Sequence, residues 1–290
     1  MLEYIYFKKF IKNLLIFVPI IFNTNYLVAD NILKTLFSFL FFCLITNVIY
    51  LTNDYTDRNI DKINKLKKTT NVISLKILFV LNFLAVLLIF LFKNFFFINK
   101  WAFLYLISFY LYNFFFKKVF LVDLFFLQFF FLARILFGAQ IIDLEVSLVF
   151  VVFFFSFFGI LAIMKRIIQI NINKLEAKNC LISYDLSMVK YLYFLAYFYF
   201  FITSLILFIF LNYNILFKSY ILNNVFYINF TSNYLISNLV FIIYLVNFLR
   251  LFYLVKKNKI KKDIFDFVLS DFISIFSSVI FLFLIILNLL

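Results

Sequence analysis

The chain is 290 residues long, 67% hydrophobic and only 14% charged, with a net charge of +14; a soluble domain is about half apolar and about a quarter charged. It has no histidine, two glycines, one proline and two cysteines. That excludes His-based general base catalysis, haem ligation, the common zinc sites, a Gly-rich soluble phosphate loop and a disulfide framework.

A membrane span needs roughly 20 apolar residues. Apolar runs lie near 10–29, 32–51, 74–92, 96–116, 119–138, 146–164, 191–213, 232–254 and 270–289. The expected fold is all-α, a polytopic membrane bundle of about nine transmembrane helices forming a single domain over residues 1–290. Pro19 interrupts the first run and no small-residue cleavage site follows it, so it reads as a span and not a cleaved signal peptide. No cargo domain is expected at either end. The 51 phenylalanines read as lipid-facing filler.

With the runs alternating across the membrane, 22 Lys and Arg fall on the side of the N-terminus, four on the other, and Arg134 within a run, which accounts for all 27. Such asymmetry places the charged side in the cytoplasm. The expected location is a bacterial cytoplasmic (inner) membrane with the active site facing the cytoplasm. The net charge needs no nucleic acid, because topology and anionic headgroups account for it. Nothing in the sequence bears on oligomeric state.

The second run ends in Asn53-Asp54-Tyr55-Thr56-Asp57-Arg58-Asn59-Ile60-Asp61. If the helix continues, Asp54, Asp57 and Asp61 fall within about 60° of one face. Clustered carboxylates near lipid need a compensating cation. Mg²⁺ fits hard oxygen ligands and uses one or two carboxylates plus substrate phosphates. A solvated helix end, with its acids paired to Arg58 and Lys62, fits the spacing too.

Other polar positions are expected on the same side. Lys12 and Asn13 open the first run; Tyr112 and Lys117 close the fourth. Asp123 and Arg134 lie in the fifth, Lys165-Arg166 end the sixth, and Arg250 ends the eighth. Cations beside acids able to hold Mg²⁺ suit a polyanionic phosphate. An arginine well inside an apolar helix is expensive and is by default functional or paired. Asp123 and Arg134 are eleven residues apart, about three turns, so they cannot pair within one helix.

The Asn53–Asp61 stretch has the form NDxxDxxxD and resembles the first aspartate motif of the UbiA prenyltransferase superfamily, a family of nine-helix bundles. Most members carry a second Asp-rich motif after the sixth helix. Here that stretch reads Ser156-Phe-Phe-Gly-Ile-Leu-Ala-Ile-Met-Lys-Arg166, which is similar to the branch containing decaprenyl-phosphate phosphoribosyltransferase. Phe10-Ile-Lys12-Asn13 through Pro19 resembles that branch's WxKNxxxxxP pattern. Tyr112, Lys117, Asp123, Arg134, Gly138-Ala139, Ser147, Arg250 and Tyr253 follow in the expected order. After the aspartates the family reads roughly DRxHPxKxxRP; Lys67 matches, while Asn64, Lys65, Thr70 and Asn71 replace the His, Pro, Arg and Pro.

The resemblance implies a membrane phosphoribosyltransferase that moves 5-phosphoribose from 5-phosphoribosyl diphosphate (PRPP) to a polyprenyl phosphate, releasing pyrophosphate. Asp54, Asp57 and Asp61 would hold Mg²⁺. Substrate contacts would fall to Lys12, Asn13, Asn53, Lys67, Tyr112, Lys117, Arg134, Lys165, Arg166 and Arg250. The alternatives are a UbiA-type prenyltransferase with a polyprenyl diphosphate donor and an aromatic or quinone-precursor acceptor, and a non-enzymatic membrane protein or degenerate homologue.

Overall fold

The computed structural model describes residues 10–23, 26–58, 74–91, 100–173, 184–217 and 234–289. Each apolar run of the sequence overlaps a helix among these residues, but the helix of the first run stops at Ile21, short of the expected end at residue 29. Helix α1 is Ile11–Ile21, 3-10 over Ile11–Phe17 and α over Val18–Ile21. It is followed by α2 (Ala29–Thr56), α3 (Leu75–Leu91), α4 (Lys100–Phe114), α5 (Val122–Ile141), α6 (Leu148–Asn173), α7 (Val189–Phe217), α8 (Tyr234–Lys256), the short α9 (Ile264–Val268) and α10 (Phe272–Leu289). Within these described residues five helical stretches are long and apolar enough to cross a membrane: Ala29–Thr56, Val122–Ile141, Leu148–Ile172, Leu186–Leu211 and Leu235–Lys256.

The chain is an integral membrane protein. Phe79, Phe194 and Leu235 are 72–76% exposed, and such outward apolar surface on apolar helices suits contact with lipid. Backbone polar groups inside these helices are satisfied within the segment, as a bilayer requires.

The chain divides into two compact units, Met1–Ile21 with Asn25–Val146 and Phe22–Thr24 with Ser147–Leu290. In the first, α5 packs against α1, α2 and α4. Its apolar window is 72% buried, the highest share of the five. Phe42 of α2 lies 5.0 Å, centroid to centroid, from both Tyr105 of α4 and Phe137 of α5. Pro19 has no N–H to give, and the Leu15 carbonyl is taken instead by the Val18 N–H. Gly138 is where α1 touches α5: a Cβ there would sit 2.0 Å from the Ile16 carbonyl oxygen. Only glycine permits that approach of two backbones.

The second unit is built on α6 packed against α7, α7 against α8, and α8 against α10. Aromatic rings fill the seam between α7 and α8, with Tyr197 stacked on Phe252 at 4.6 Å and the buried hydroxyls of Thr203 and Tyr244 bonded to each other. Helix α6 runs well past the apolar stretch that ends near residue 164, continuing to Asn173. Ile167, Ile168 and Ile170 are buried and carry the packing onward. Lys165 and Arg166 are therefore inside a helix, eight and seven residues before its last residue, and not at its end.

Arg250 likewise lies within α8. Its guanidinium makes a bidentate pair with Asp271, at 2.8 and 3.0 Å, and bonds Ser274 Oγ at 3.1 Å. The pair clamps α8 to the start of α10. Asp271→Asn should lower the melting temperature in detergent by an amount equal to about 1–2 kcal/mol, between surface and buried ion pairs. An unchanged melt would show that the clamp contributes nothing.

Candidate functional site

One face of α2 carries an unusual run of polar side chains for an apolar helix. Cys43, Thr46, Tyr50, Asp54 and Asp57 are spaced by three or four residues, so they fall within roughly 80° of one another. This stripe has two centres, an acidic one at the helix end and a cationic one farther in.

The acidic centre forms where α2 stops. Asp57 is the C-cap, and its N–H bonds the Asn53 carbonyl at 2.9 Å. The Thr56 hydroxyl lies 2.9 Å from the same carbonyl and 3.0 Å from Asn113 Oδ1 of α4, sharing its one proton between two acceptors. Carboxylates at a helix C-terminus sit beside the negative end of its dipole, and the last turn of α2 has no basic residue. The compensating charge comes from Lys117, sixty residues away in a 3-10 turn at Phe116–Lys118. Its Nζ bonds Asp57 Oδ1 and donates to Asn113 Oδ1 at 3.0 Å. The two charged side chains are only 14% and 15% exposed. Arg58, the neighbour expected to pair with the acids, instead rests over the Tyr55 ring at 5.2 Å.

Asn113 is 2% exposed, and its Nδ2 has no hydrogen-bond partner among the described residues. The lysine fixes the amide orientation, since Nδ2 cannot accept from an ammonium. A buried unpartnered donor costs about 1–3 kcal/mol. Here it lies beside a cation and would be satisfied by an anionic oxygen. Nothing local in the sequence marks Asn113 and Thr56, because Lys117 meets Asn113 from a 3-10 turn beyond the end of α4.

The backbone four residues beyond Lys117 is strained. Leu121, just before α5, has φ 64° and ψ −39°, a region costly for any residue with a Cβ. Its side chain is 43% exposed, so little packing would be lost on truncation. Leu121→Gly should stabilise the protein by about 0.5–1 kcal/mol, the relieved strain exceeding the added unfolded-state entropy. A lower melting temperature would contradict this.

Beyond the turn, the Tyr112 hydroxyl donates to Asp123 Oδ1 at 2.9 Å, with both residues buried. Asp123 therefore does not serve Arg134. The arginine is 2% exposed, and among the described residues its hydrogen bonds go to neutral oxygens. Nε donates to Asn13 Oδ1 at 2.9 Å; the terminal nitrogens donate to Tyr105 OH at 2.7 Å, Tyr50 OH at 3.3 Å and the Phe130 carbonyl. The guanidinium also lies over the rings of Tyr105 and Phe131, at 5.1 and 5.5 Å. Asn13 is locked in turn, its Nδ2 donating to Thr46 Oγ1 at 2.9 Å and Cys43 Sγ at 3.2 Å. Lys12 reaches the Phe131 ring at 5.9 Å.

In the second unit, Lys165 pairs with Asp263 at 3.3 Å. Asp263 also caps α9, accepting the Phe265 N–H at 3.0 Å. Arg166 is buried, donates to Gln169 Oε1 at 2.6 Å and lies over the Tyr184 ring at 5.8 Å. The first unit thus brings together Asn53, Asp54, Asp57 and Lys117 in one place, and Lys12, Asn13 and Arg134 in another. Lys165, Arg166 and Arg250 each have contacts within the second unit. Asp61 and Lys67 lie outside the described residues.

Among the described residues no three His, Cys, Asp or Glu side chains gather as a metal cage. The acidic centre nonetheless has the donor chemistry of a hard cation site. Asp57 Oδ1 and Asn113 Oδ1 already converge on one positive charge, the Lys117 ammonium, and Asp54 shares the face. Mg²⁺ needs few protein ligands when phosphates supply the rest. No family model matches the chain, and no curated protein matches it.

Proposed function

We propose that the chain is a Mg²⁺-dependent membrane transferase of the UbiA type, with about nine spans and its acidic centre at the cytoplasmic side of a bacterial inner membrane. In this reading it moves 5-phosphoribose from PRPP to a polyprenyl phosphate. The observation that carries it is the convergence of Asp57, Lys117 and the unpartnered Asn113 amide at the end of an apolar helix. Acid, cation and unsatisfied donor together suit a diphosphate presented with a metal.

Asp54, Asp57 and, by resemblance, Asp61 would hold Mg²⁺, which would neutralise the diphosphate charge. Lys117 and Asn113 Nδ2 would grip phosphate oxygens and hold the donor in one orientation. As the C1–O bond to pyrophosphate breaks, charge accumulates on the leaving group, and fixed cations there lower the barrier. A lipid phosphate oxygen forms the new bond to C1, yielding polyprenyl-phosphoryl-phosphoribose and pyrophosphate. A phosphate anion is already nucleophilic, so a chain without histidine needs no strong base. Positioning does most of the work. Lys12, Asn13, Arg134 and Tyr112 would shape and stiffen the interior next to this centre, while Lys165, Arg166, Arg250 and Lys67 are assigned phosphate contacts by resemblance alone.

The second reading is prenyl transfer from a polyprenyl diphosphate to an aromatic acceptor. The contacts of Lys165 with Asp263 and of Arg166 with Gln169 favour it, because they give that pair a structural task that needs no second phosphate. Membranes containing the protein, supplied with labelled PRPP and polyprenyl phosphate, should form a lipid-soluble ribosyl product. Prenylation of an aromatic acid, with no ribosyl transfer, would replace the first reading by the second. Tags within 62–72, 174–186 and 257–262 should report cytoplasm, and one within 214–231 the opposite side. Finding 62–72 outside would remove the cytosolic donor from reach.

A further inference from the structure

We propose that Lys117 is a resident counter-cation, holding the position at Asp57 that a divalent metal takes and being displaced by that metal. This rests on the metal reading of the acidic centre. The Lys117 ammonium accepts the company of two hard oxygens, Asp57 Oδ1 and Asn113 Oδ1, which are the ligand types of Mg²⁺. Lys117 is the partner that Asp57 has among the described residues, and the last turn of α2 offers no cation of its own. The helix end therefore needs an external positive charge whenever the metal is away.

Simultaneous occupancy is disfavoured. Both side chains are about six-sevenths buried, where screening by water is weak and a univalent and a divalent cation on one carboxylate repel strongly. Lysine suits a movable role, since its ammonium is a point charge on a flexible stem and not a fixed fork. Its stem leaves from a three-residue 3-10 turn that precedes strained Leu121, so it can swing without disturbing a long helix. Once displaced, it lies beside Asn113 Nδ2, a buried donor with no partner among the described residues. The two would then receive a phosphate oxygen together. Metal arrival and anion capture would be coupled through one side chain.

The test uses the full chain in detergent and Mn²⁺ alone, with free Mn²⁺ read by electron paramagnetic resonance. Lys117→Met removes the competing charge at similar length and should tighten Mn²⁺ binding about tenfold, equal to about 1.4 kcal/mol. Lys117→Arg keeps the charge and should stay near wild type. Asp57→Asn should abolish the binding that responds to Lys117. If Lys117→Met does not yield folded protein, Lys117→Gln is scored the same way. Wild-type binding that is unchanged or weakened in the neutral variant would overturn the displacement while leaving the metal reading intact. Absence of Asp57-dependent Mn²⁺ binding in wild type and neutral variant alike would overturn both.

Discussion

Asp57→Asn should reduce transfer on the order of 10³-fold and abolish Mg²⁺-dependent retention of PRPP, while the protein inserts and melts as wild type does. Asparagine keeps the shape of the C-cap and loses one negative charge. The loss removes a carboxylate from the unfavourable end of the α2 dipole and eases repulsion with Asp54 one turn away. Against this, Lys117 loses its ion pair. These effects oppose one another, and stability should stay within about 1 kcal/mol. Asp54→Asn should behave likewise. Turnover and melting measured on the same preparation separate a chemical role from a structural one. Full activity in both variants would dismiss the acidic centre as a site of catalysis.

Gly138→Ala should severely destabilise the first unit. The added methyl would sit 2.0 Å from the Ile16 carbonyl oxygen and 2.8 Å from its carbon, far inside contact distance. Both colliding atoms are backbone, so no rotamer change relieves them, and Ile16→Ala would not rescue the variant. Separation of α1 from α5 would also draw Asn13 away from Arg134. The two contacts lie one turn apart on each element: three residues from Asn13 to Ile16 in a 3-10 segment, four from Arg134 to Gly138 in an α-helix. Overpacking alone costs about 1–3 kcal/mol, and a buried arginine stripped of a partner adds about 1–3 kcal/mol. Expected results are a broad or void-volume peak in size-exclusion chromatography and a melt lowered by ten degrees or more, about 3 kcal/mol in a domain of this size. A monodisperse peak with a wild-type melt would show that the two elements can part without loss.

Much of this was legible in the sequence because the membrane simplifies the code. Long apolar runs become helices whatever their details, and each run contains one among the described residues. The acids at the end of α2 and the arginine in α5 stood out since charge is rare there. Their partners did not. Asp57 pairs with Lys117 across sixty residues of chain, where adjacency suggested Arg58. Tyr50 and Tyr105, which hold Arg134, are two of 19 tyrosines in a sequence with 51 phenylalanines, and nothing local marks them. Hydropathy ends α6 too early because it falls at Lys165-Arg166 while burial does not; Ile167 and Ile170 stay enclosed past the cations. Hydropathy reports the solvent a segment prefers, and packing decides where a helix stops.

The surroundings of Arg134 bear on how the protein is made. Asn13, Tyr50 and Tyr105 belong to α1, α2 and α4, and the carbonyl it bonds belongs to Phe130. Every one of these groups precedes Arg134 in the chain, so each leaves the ribosome before the arginine does. An arginine at mid-helix costs about 2.5–3.5 kcal/mol on entering a bilayer alone. Here the helix that carries it reaches the translocon after its acceptors have been delivered. A nascent chain lacking α1 would present that cation to lipid, or to the proteases that survey membrane proteins, with part of its shell missing. The order of synthesis is then also the order in which α5 becomes affordable to insert.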